Sequence, residues 1–152
     1  MEKRLHITSE QETQRLGEQI GRAAKPGMVI ALIGDLGTGK TTLTKSIARG
    51  LGVTETVTSP TFNIIREYRS GRLPLYHFDV YRIGDPDEMF ELGYEEYFYG
   101  DGICVVEWAD IIEELLPEDA MTICIDRGAS EEEREYRITW EDGALSWESI
   151  EL

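Results

Sequence analysis

Long apolar runs are missing from this chain of 152 residues. No stretch approaches the ~20 consecutive apolar residues of a membrane-spanning helix, so the sequence argues against a membrane protein of that kind. Residues 1–8 lead directly into a strand-like segment, without the long apolar core and small-residue cleavage site of a signal peptide. We therefore expect a cytoplasmic protein with no membrane partner.

Cysteine is scarce, since the chain has only Cys104 and Cys124. Both lie within apolar runs, where a free thiol is usually buried in the core. Without a companion cluster of histidines, two cysteines give no support to a zinc site. We expect both to be plain core residues.

Positive charge is also scarce, because 15 Lys and Arg residues stand against 30 Asp and Glu residues, giving a net charge of −15. An acidic surface repels the phosphate backbone of nucleic acids, so direct binding of DNA or RNA by this chain alone is not expected. The excess acid is typical of a solvated surface, and docking to a basic partner is the alternative.

The chain does contain a complete phosphate-binding loop. Residues 34–41 read Gly-Asp-Leu-Gly-Thr-Gly-Lys-Thr, which matches the pattern G-x-x-x-x-G-K-[ST]. Glycines such as Gly34, Gly37 and Gly39 let backbone N–H groups point inward at an anion. Lys40 supplies a mobile positive charge, and the hydroxyl of Thr41 can hold Mg²⁺. The loop therefore predicts binding of a nucleotide through its phosphates.

The surroundings of this loop strengthen the prediction. An unbroken apolar run at 28–33 has the length of a buried strand, and residues 42–51 carry apolar side chains at helical spacing. Strand, loop and helix are the context that the motif requires.

The remaining patterns predict an α/β fold. A capping box at 9–12 predicts a helix over about 10–24, and strand-like stretches at 63–69 and 74–80 have the spacing of a hairpin. The later segments are short helices within 85–98 broken at Gly93, a strand at 102–108, a helix at 109–116 stopped by Pro117, a strand at 120–126, an edge strand at 134–140 and a turn at 142–143. We predict one P-loop NTPase domain over 1–152, with a mainly parallel central sheet, antiparallel additions and flanking helices.

Two acidic residues are candidates for holding Mg²⁺ or orienting an attacking water. Glu107 closes the apolar run 102–108, at the strand end where open α/β sheets bind ligands. Asp79 lies in the predicted hairpin, where alternation places it on one face with His77 and Tyr81. A surface carboxylate is the alternative for Asp79, and a structural role is the alternative for Glu107.

Two further segments remain open between function and structure. The hydroxyl-rich stretch Thr58-Ser-Pro-Thr61 has the place of a loop that senses the γ-phosphate, and it is equally typical of an ordinary turn. Trp108 has the position to stack on a ligand, although packing at the strand end is favoured for an isolated tryptophan.

Four segments together resemble the TsaE family, small bacterial ATPases of tRNA threonylcarbamoyladenosine synthesis. They are 34–42, 58–62, 77–82 and 106–108, and the resemblance runs in order from about residue 9 to 108. It implies a cytoplasmic enzyme that uses ATP and Mg²⁺ and works with the TsaD and TsaB proteins. Their product is the threonylcarbamoyl group on an adenosine of the tRNA anticodon loop, so tRNA would be met only through the complex.

The resemblance also implies roles for individual residues. Asp79 would support catalysis or the metal shell, beside Lys40 and Glu107, and Ser59 and Thr61 would be switch-like. Mg²⁺ would lie on Thr41 and Glu107. The phosphates would be bound by Gly37, Thr38, Gly39, Lys40, Thr41 and Thr42.

The adenine pocket is assigned by analogy with P-loop folds in general. The loop at 126–128, with Arg127, would border the base, and the start of the first helix near Ser9 would lie opposite.

ATP hydrolysis is the leading hypothesis, slow without partners because no arginine finger is assured in the chain. The alternatives are a P-loop small-molecule kinase and a binding module whose nucleotide state controls partner affinity. A GTPase is disfavoured, since the sequence has no Asn-Lys-x-Asp motif to read guanine.

Overall fold

The computed structural model describes residues 1–35, 37–60 and 63–141. Its helices and strands, in chain order, are β1 (Glu2–Ile7), α1 (Glu10–Ala23), β2 (Val29–Ile33), α2 (Lys40–Leu51), β3 (Ile65–Tyr68), β4 (Leu75–Asp79), α3 (Glu88–Glu91), α4 (Tyr94–Phe98), β5 (Ile103–Glu107), a 3₁₀ helix (Ala109–Leu115), β6 (Met121–Arg127) and β7 (Arg134–Thr139). The predicted turn at 142–143 lies outside the described residues.

A seven-stranded sheet in the order β1-β7-β6-β2-β5-β4-β3 forms the centre of the molecule. The four strands β6, β2, β5 and β4 pair in parallel, and β3, β7 and β1 are added antiparallel. Strands β2 and β5 are apolar runs that are buried along nearly their whole length, as parallel strands covered on both faces require. The predicted sheet and the hairpin of β3 with β4 are confirmed.

One local prediction is wrong. The segment at 134–140 is predicted as an edge strand, but β7 lies between β1 and β6, and β1 forms the edge. The choice of strand neighbours depends on residues that are distant in sequence, which local patterns do not reveal. The short helix predicted at 109–116 is confirmed as a 3₁₀ helix over 109–115, with a kink at Ile112 (φ −120°).

Helices α1 and α2 pack closely over one face of the sheet, and glycines make that approach possible. A Cβ atom at Gly21 would lie 2.2 Å from the carbonyl oxygen of Ile47 and 2.8 Å from the Cα of Gly50. A Cβ at Gly17 would lie 2.3 Å from the Cβ of Ser46. The backbones of the two helices therefore touch, which fixes α2 and the loop before it.

The ends of α1 are held by side chains. At the start, the Ser9 hydroxyl accepts a hydrogen bond from the N–H of Glu12 at 3.2 Å, and the Glu12 carboxylate accepts from the N–H of Thr8 at 3.0 Å. At the other end, Nη2 of Arg72 lies 2.6, 2.9 and 2.7 Å from the carbonyl oxygens of residues 21, 22 and 24. A cation at a helix C-terminus also complements the helix dipole.

The opposite face of the sheet carries α3, α4 and the 3₁₀ helix over an aromatic cluster. The ring of Phe78 meets those of Phe98 and Tyr97 edge to face, with centroids 5.3 and 5.7 Å apart. The break predicted at Gly93 is confirmed, because Gly93 has φ +67° between α3 and α4. In the part of the chain that the structure describes, no helix has the length and apolar character needed to cross a membrane.

Replacing Gly21 with alanine should destabilise the protein. The added methyl group meets backbone atoms that cannot move aside, and overpacking of this kind costs about 1–3 kcal/mol. Urea denaturation measures the free energy of unfolding. Gly84→Ala is the control, since the nearest atom to its Cβ would be a flexible carboxylate oxygen 3.8 Å away. Equal stability of Gly21→Ala and wild type would contradict the close helix contact.

Arg72→Ala should lower the free energy of unfolding by about 1–2 kcal/mol, because three carbonyl groups at the end of α1 lose a charged donor. Arg22→Ala is the matched control on the same helix, as its side chain is 61% exposed and makes only a 3.9 Å pair with Glu18. Thermal unfolding of both variants provides the measurement. A loss of stability in Arg72→Ala no larger than that in Arg22→Ala would contradict the capping role of Arg72.

Candidate functional site

The candidate site lies at the carboxyl edge of the parallel strands. The phosphate-binding loop follows β2, Asp79 ends β4 and Glu107 ends β5. Parallel strands end at the same edge, so these groups meet in one cleft. The cleft has a volume of about 330 Å³ and is lined by Gly37, Gly39, Lys40, Thr41, Thr42, Ser59, Asp79, Glu107 and Trp108.

The loop has the backbone shape of an anion cradle. Gly39 has φ +105°, a left-handed conformation that favours glycine, and it precedes the first residue of α2. No side chain among the described residues caps the first turn of α2, so its N–H groups are available to an anion. A Cβ at Gly34 would lie 2.7 Å from the carbonyl oxygen of Ile125, so the loop also packs tightly onto β6.

The ammonium group of Lys40 is held at this loop. It donates hydrogen bonds to the carbonyl oxygens of Gly34 at 2.5 Å and Asp35 at 2.9 Å. Burial lowers the pKa of Lys40 from its ordinary value, and the charges of Glu107 and Asp79 oppose that change. The lysine is only 5% exposed and faces two carboxylates, so it belongs to the polar interior of the cleft.

Thr41 and Glu107 are brought together although 66 residues separate them. The Thr41 hydroxyl donates to Oε1 of Glu107 at 3.0 Å, and the Ser59 hydroxyl lies 3.0 Å from the same threonine oxygen. A hydroxyl beside a carboxylate is a pair of hard oxygen ligands of the kind that Mg²⁺ takes together with substrate phosphates. The two residues therefore fit the predicted metal.

A magnesium site of this type needs few protein ligands. Within the three described stretches, no group of three or more His, Cys, Asp or Glu residues is placed to hold a metal ion by itself. Mg²⁺ that also binds phosphates commonly uses only one or two carboxylates.

Asp79 faces the same cleft with one oxygen engaged. Its Oδ1 accepts a hydrogen bond from the N–H of Tyr81 at 3.0 Å, which shapes the turn after β4. Burial raises the pKa of Asp79, the N–H of Tyr81 opposes this, and the charge of Glu107 adds to it. The register pairs Asp79 with Glu107, so the two predicted acids are neighbours on adjacent strands.

Trp108 is half-buried: it lines the cleft and also packs against the core, as expected for a tryptophan at a strand end. Its indole lies under the ammonium of Lys40, 4.1 Å from the ring centroid, and against the ring of Tyr81 with centroids 4.7 Å apart. Trp108 adopts φ +61°, an uncommon conformation for a non-glycine residue that aims the side chain into the site.

Two residues of the site were missed by sequence reasoning. His77 places Nε2 2.5 Å from Oε2 of Glu107, and the Thr44 hydroxyl lies 3.4 Å from the same oxygen. The alternation of β4 put His77 on the same face as Asp79, and this was the one signal that pointed to it.

The structure brings only part of the predicted adenine pocket together. A second cavity adjoins the loop between the start of α1 and the segment after β6, lined by Glu10, Thr13, Gly37, Thr38, Gly39, Thr42, Glu131, Glu132 and Arg134. Ser9 is next to this cavity but uses its hydroxyl to cap α1. Nη2 of Arg127 would lie 2.9 Å from a Cβ at Gly37, so it does border the loop.

Arg134 ties this region to the phosphate-binding loop. Its Nε donates to the carbonyl oxygen of Thr38 at 3.0 Å, across 96 residues of sequence. No motif or spacing in the sequence predicts this contact. Of the two predicted switch residues, Ser59 lies beside Thr41, whereas Thr61 is outside the described residues.

Cys104 is buried as predicted, but Cys124 is only half-buried, so the expectation for the second thiol is wrong. Burial raises the pKa of the Cys104 thiol far above its ordinary value, which keeps it protonated and unreactive.

Comparison with known proteins gives consistent matches. The family model described as "Threonylcarbamoyl adenosine biosynthesis protein TsaE" matches residues 7–136. The tRNA threonylcarbamoyladenosine biosynthesis protein TsaE of Bacillus subtilis (strain 168) is 54% identical over 85% of this chain and 80% of its own length. The protein of the same description from Treponema pallidum (strain Nichols) is 44% identical over 77% of this chain and 86% of its own.

A solved structure agrees with these matches. The crystal structure of YdiB from Bacillus subtilis aligns with a TM-score of 0.80 and 45% identity, covering 92% of this chain and 86% of that one. The family model spans most of the chain, and the phosphate-binding loop and strands β2 to β6 fall within it. The chain belongs to the TsaE family.

Proposed function

We propose that this protein is a Mg²⁺-dependent ATPase of the cytoplasm that serves the synthesis of threonylcarbamoyladenosine in the anticodon loop of tRNA, together with TsaD and TsaB. The observation that carries the proposal is the hydrogen bond of 3.0 Å between Thr41 and Glu107, next to the cradle that holds Lys40. A hydroxyl and a carboxylate at the start of a phosphate-binding helix are the parts that P-loop enzymes use for metal-assisted phosphoryl transfer.

Each residue of the cleft has a role in this mechanism. The N–H groups at the start of α2 bind the phosphates, and Lys40 leaves its carbonyl partners to neutralise their charge. Thr41 and Glu107 would hold Mg²⁺, which when bound would neutralise charge on the phosphate oxygens. Asp79 orients the attacking water through the oxygen that does not bond to Tyr81.

The second cavity is proposed to receive the adenosine part of ATP. It is continuous with the loop through Gly37, Gly39 and Thr42, which line both cavities. Arg134 lines this cavity and would supply a polar and stacking group, and α1 closes the other side with Glu10 and Thr13.

Partner proteins complete the proposal. The net charge of −15 disfavours direct contact with tRNA, so TsaD and TsaB would meet the RNA. The two relatives described above are both named as tRNA threonylcarbamoyladenosine biosynthesis proteins. A partner is also the expected source of a catalytic arginine, which can supply ~10³ to 10⁵ in rate.

One observation favours a second candidate, a binding module whose nucleotide state controls partner affinity. The hydroxyl of Ser59 lies 3.0 Å from that of Thr41, so the loop at 58–60 is placed where it would respond to metal and phosphate bound at Thr41. A small-molecule kinase has less support, because no arginine occurs between Arg82 and Arg127 to serve a lid over an acceptor.

Lys40→Ala should reduce ATP turnover about 100-fold or more, because the transition-state charge on the phosphates loses its side-chain cation. Turnover is measured by phosphate release, alone and with TsaD and TsaB, where wild type should be faster. Lys45→Ala is the matched control, since Lys45 is exposed on the same helix.

Normal turnover by Lys40→Ala would contradict the cradle assignment. Transfer of label from ATP to an acceptor other than water would favour the kinase. Partner binding that depends on nucleotide but not on turnover would favour the binding module.

In Glu107→Gln, Mg²⁺ should stimulate ATP turnover about 100-fold less than in wild type, because a neutral amide is a poor magnesium ligand. Binding of a fluorescent ADP analogue without Mg²⁺ should persist. Glu113→Gln, an exposed change of the same chemistry, is the control. If Glu107→Gln kept the magnesium dependence of wild type, Glu107 would not be the metal ligand.

A further inference from the structure

We infer that His77 is the positioning residue that fixes the orientation of the Glu107 carboxylate. Its Nε2–H donates to Oε2, so that Oε1 stays beside Thr41 and the metal position. This inference rests on the proposed function. His77 does not touch the nucleotide site in this arrangement. It acts through Glu107 alone.

The contact between His77 and Glu107 is fully enclosed. The side chains are 0% and 3% exposed, and Nε2 lies 2.5 Å from Oε2. Water does not compete for a hydrogen bond in such surroundings, and a buried carboxylate oxygen without a donor would be costly. Histidine therefore satisfies an oxygen that the cleft itself does not reach.

The two oxygens of Glu107 have different partners. Oε1 accepts from the Thr41 hydroxyl at 3.0 Å, whereas Oε2 has His77 and, at 3.4 Å, Thr44. The Thr44 hydroxyl has a single proton and already donates it to the carbonyl oxygen of Lys40 at 2.9 Å. His77 is consequently the principal donor to Oε2.

The ring has one arrangement that fits these surroundings. Nδ1 of His77 is buried and has no hydrogen-bond partner among the described residues. A proton on Nδ1 would be an orphaned donor in the core, which is rarer and more costly than an unused acceptor. A proton on Nε2 aims the donor at Glu107 and leaves Nδ1 as the unused acceptor.

This donor matters because the last torsion of a glutamate is soft. The carboxylate plane has broad, roughly two-fold freedom, so the strand alone does not fix which way the oxygens point. The N–H of His77 selects one orientation and keeps Oε1 beside Thr41. Groups that orient a metal ligand in this way typically alter metal affinity 10–100-fold when removed.

The tautomer can be tested in the wild-type protein. The chain has two histidines, and the exposed His6 is assigned by its loss in His6→Gln. In long-range ¹⁵N–¹H spectra of the ¹⁵N-histidine-labelled protein, Nε2 of His77 should carry a proton with a hydrogen-bonded shift. A ring with its proton on Nδ1 alone would overturn the inference without any variant that has to fold.

Two substitutions test the consequence for magnesium. His77→Leu removes the donor, and the Mg²⁺ concentration that half-saturates binding of a fluorescent ATP analogue should rise ~10- to 100-fold. His77→Gln places an amide N–H near the position of Nε2 and should restore a value close to wild type. Affinity for the analogue without Mg²⁺ should be unchanged in both.

Phe78→Leu is the control for a merely structural effect. Phe78 is buried on the other face of the same strand, so its loss weakens the core without touching Glu107. An equal magnesium shift in Phe78→Leu and His77→Leu would overturn the positioning role, as would a wild-type midpoint in folded His77→Leu. If His77→Leu does not fold, the test rests on the position of the His77 proton in wild type and on His77→Gln. A folded His77→Gln with a raised Mg²⁺ midpoint would contradict the role of His77 as the donor to Glu107.

The outcomes separate this inference from the proposed function. A wild-type protein that binds ATP equally well with and without Mg²⁺ and does not hydrolyse it would end the proposed function. Magnesium-dependent binding in wild type with no effect of His77 would leave that function intact and remove only this inference.

Discussion

The parallel pairing of β5 with both β2 and β4 is the constraint on which the site depends. Its register sets Glu107 opposite Leu32 on one side and opposite Asp79 on the other. A slip of one residue would turn every side chain of a strand to the opposite face, so this register decides that Glu107 faces Thr41 and His77. The phosphate-binding loop, which follows β2, is thereby held beside both carboxylates.

The close packing of α1 on α2 completes this frame from one side. Because the helix backbones touch at Gly21 and Gly50, α2 has little freedom to shift, and the first turn that carries Lys40 and Thr41 is fixed with it. The polar groups of the cleft then satisfy one another inside an apolar protein, with Glu107 shared between Thr41 and His77. Glu107 therefore has a donor on each carboxylate oxygen before any ligand binds.

Local patterns were enough to predict much of the fold and the centre of the site. The loop motif, the capped start of α1, the break at Gly93 and the alternation of β4 each depend on neighbours within a few residues. The convergence of Asp79 and Glu107 followed from the rule that parallel strands end at one edge. What failed was the choice of distant neighbours, as in the interior place of β7 and the partial exposure of Cys124.

The sequence by itself determined that the chain carries a phosphate-binding loop between a strand and a helix, and which acids end the neighbouring strands. These features can be read from the spacing and alternation of residues, because such patterns span only one turn of a helix or a few residues of a strand. Only the tertiary structure decided that His77 meets Glu107, that Arg134 meets Thr38 and that Trp108 lies under Lys40. Those contacts join segments 30, 96 and 68 residues apart, and the physical reason is that sheet register and helix packing, not local spacing, bring such side chains together.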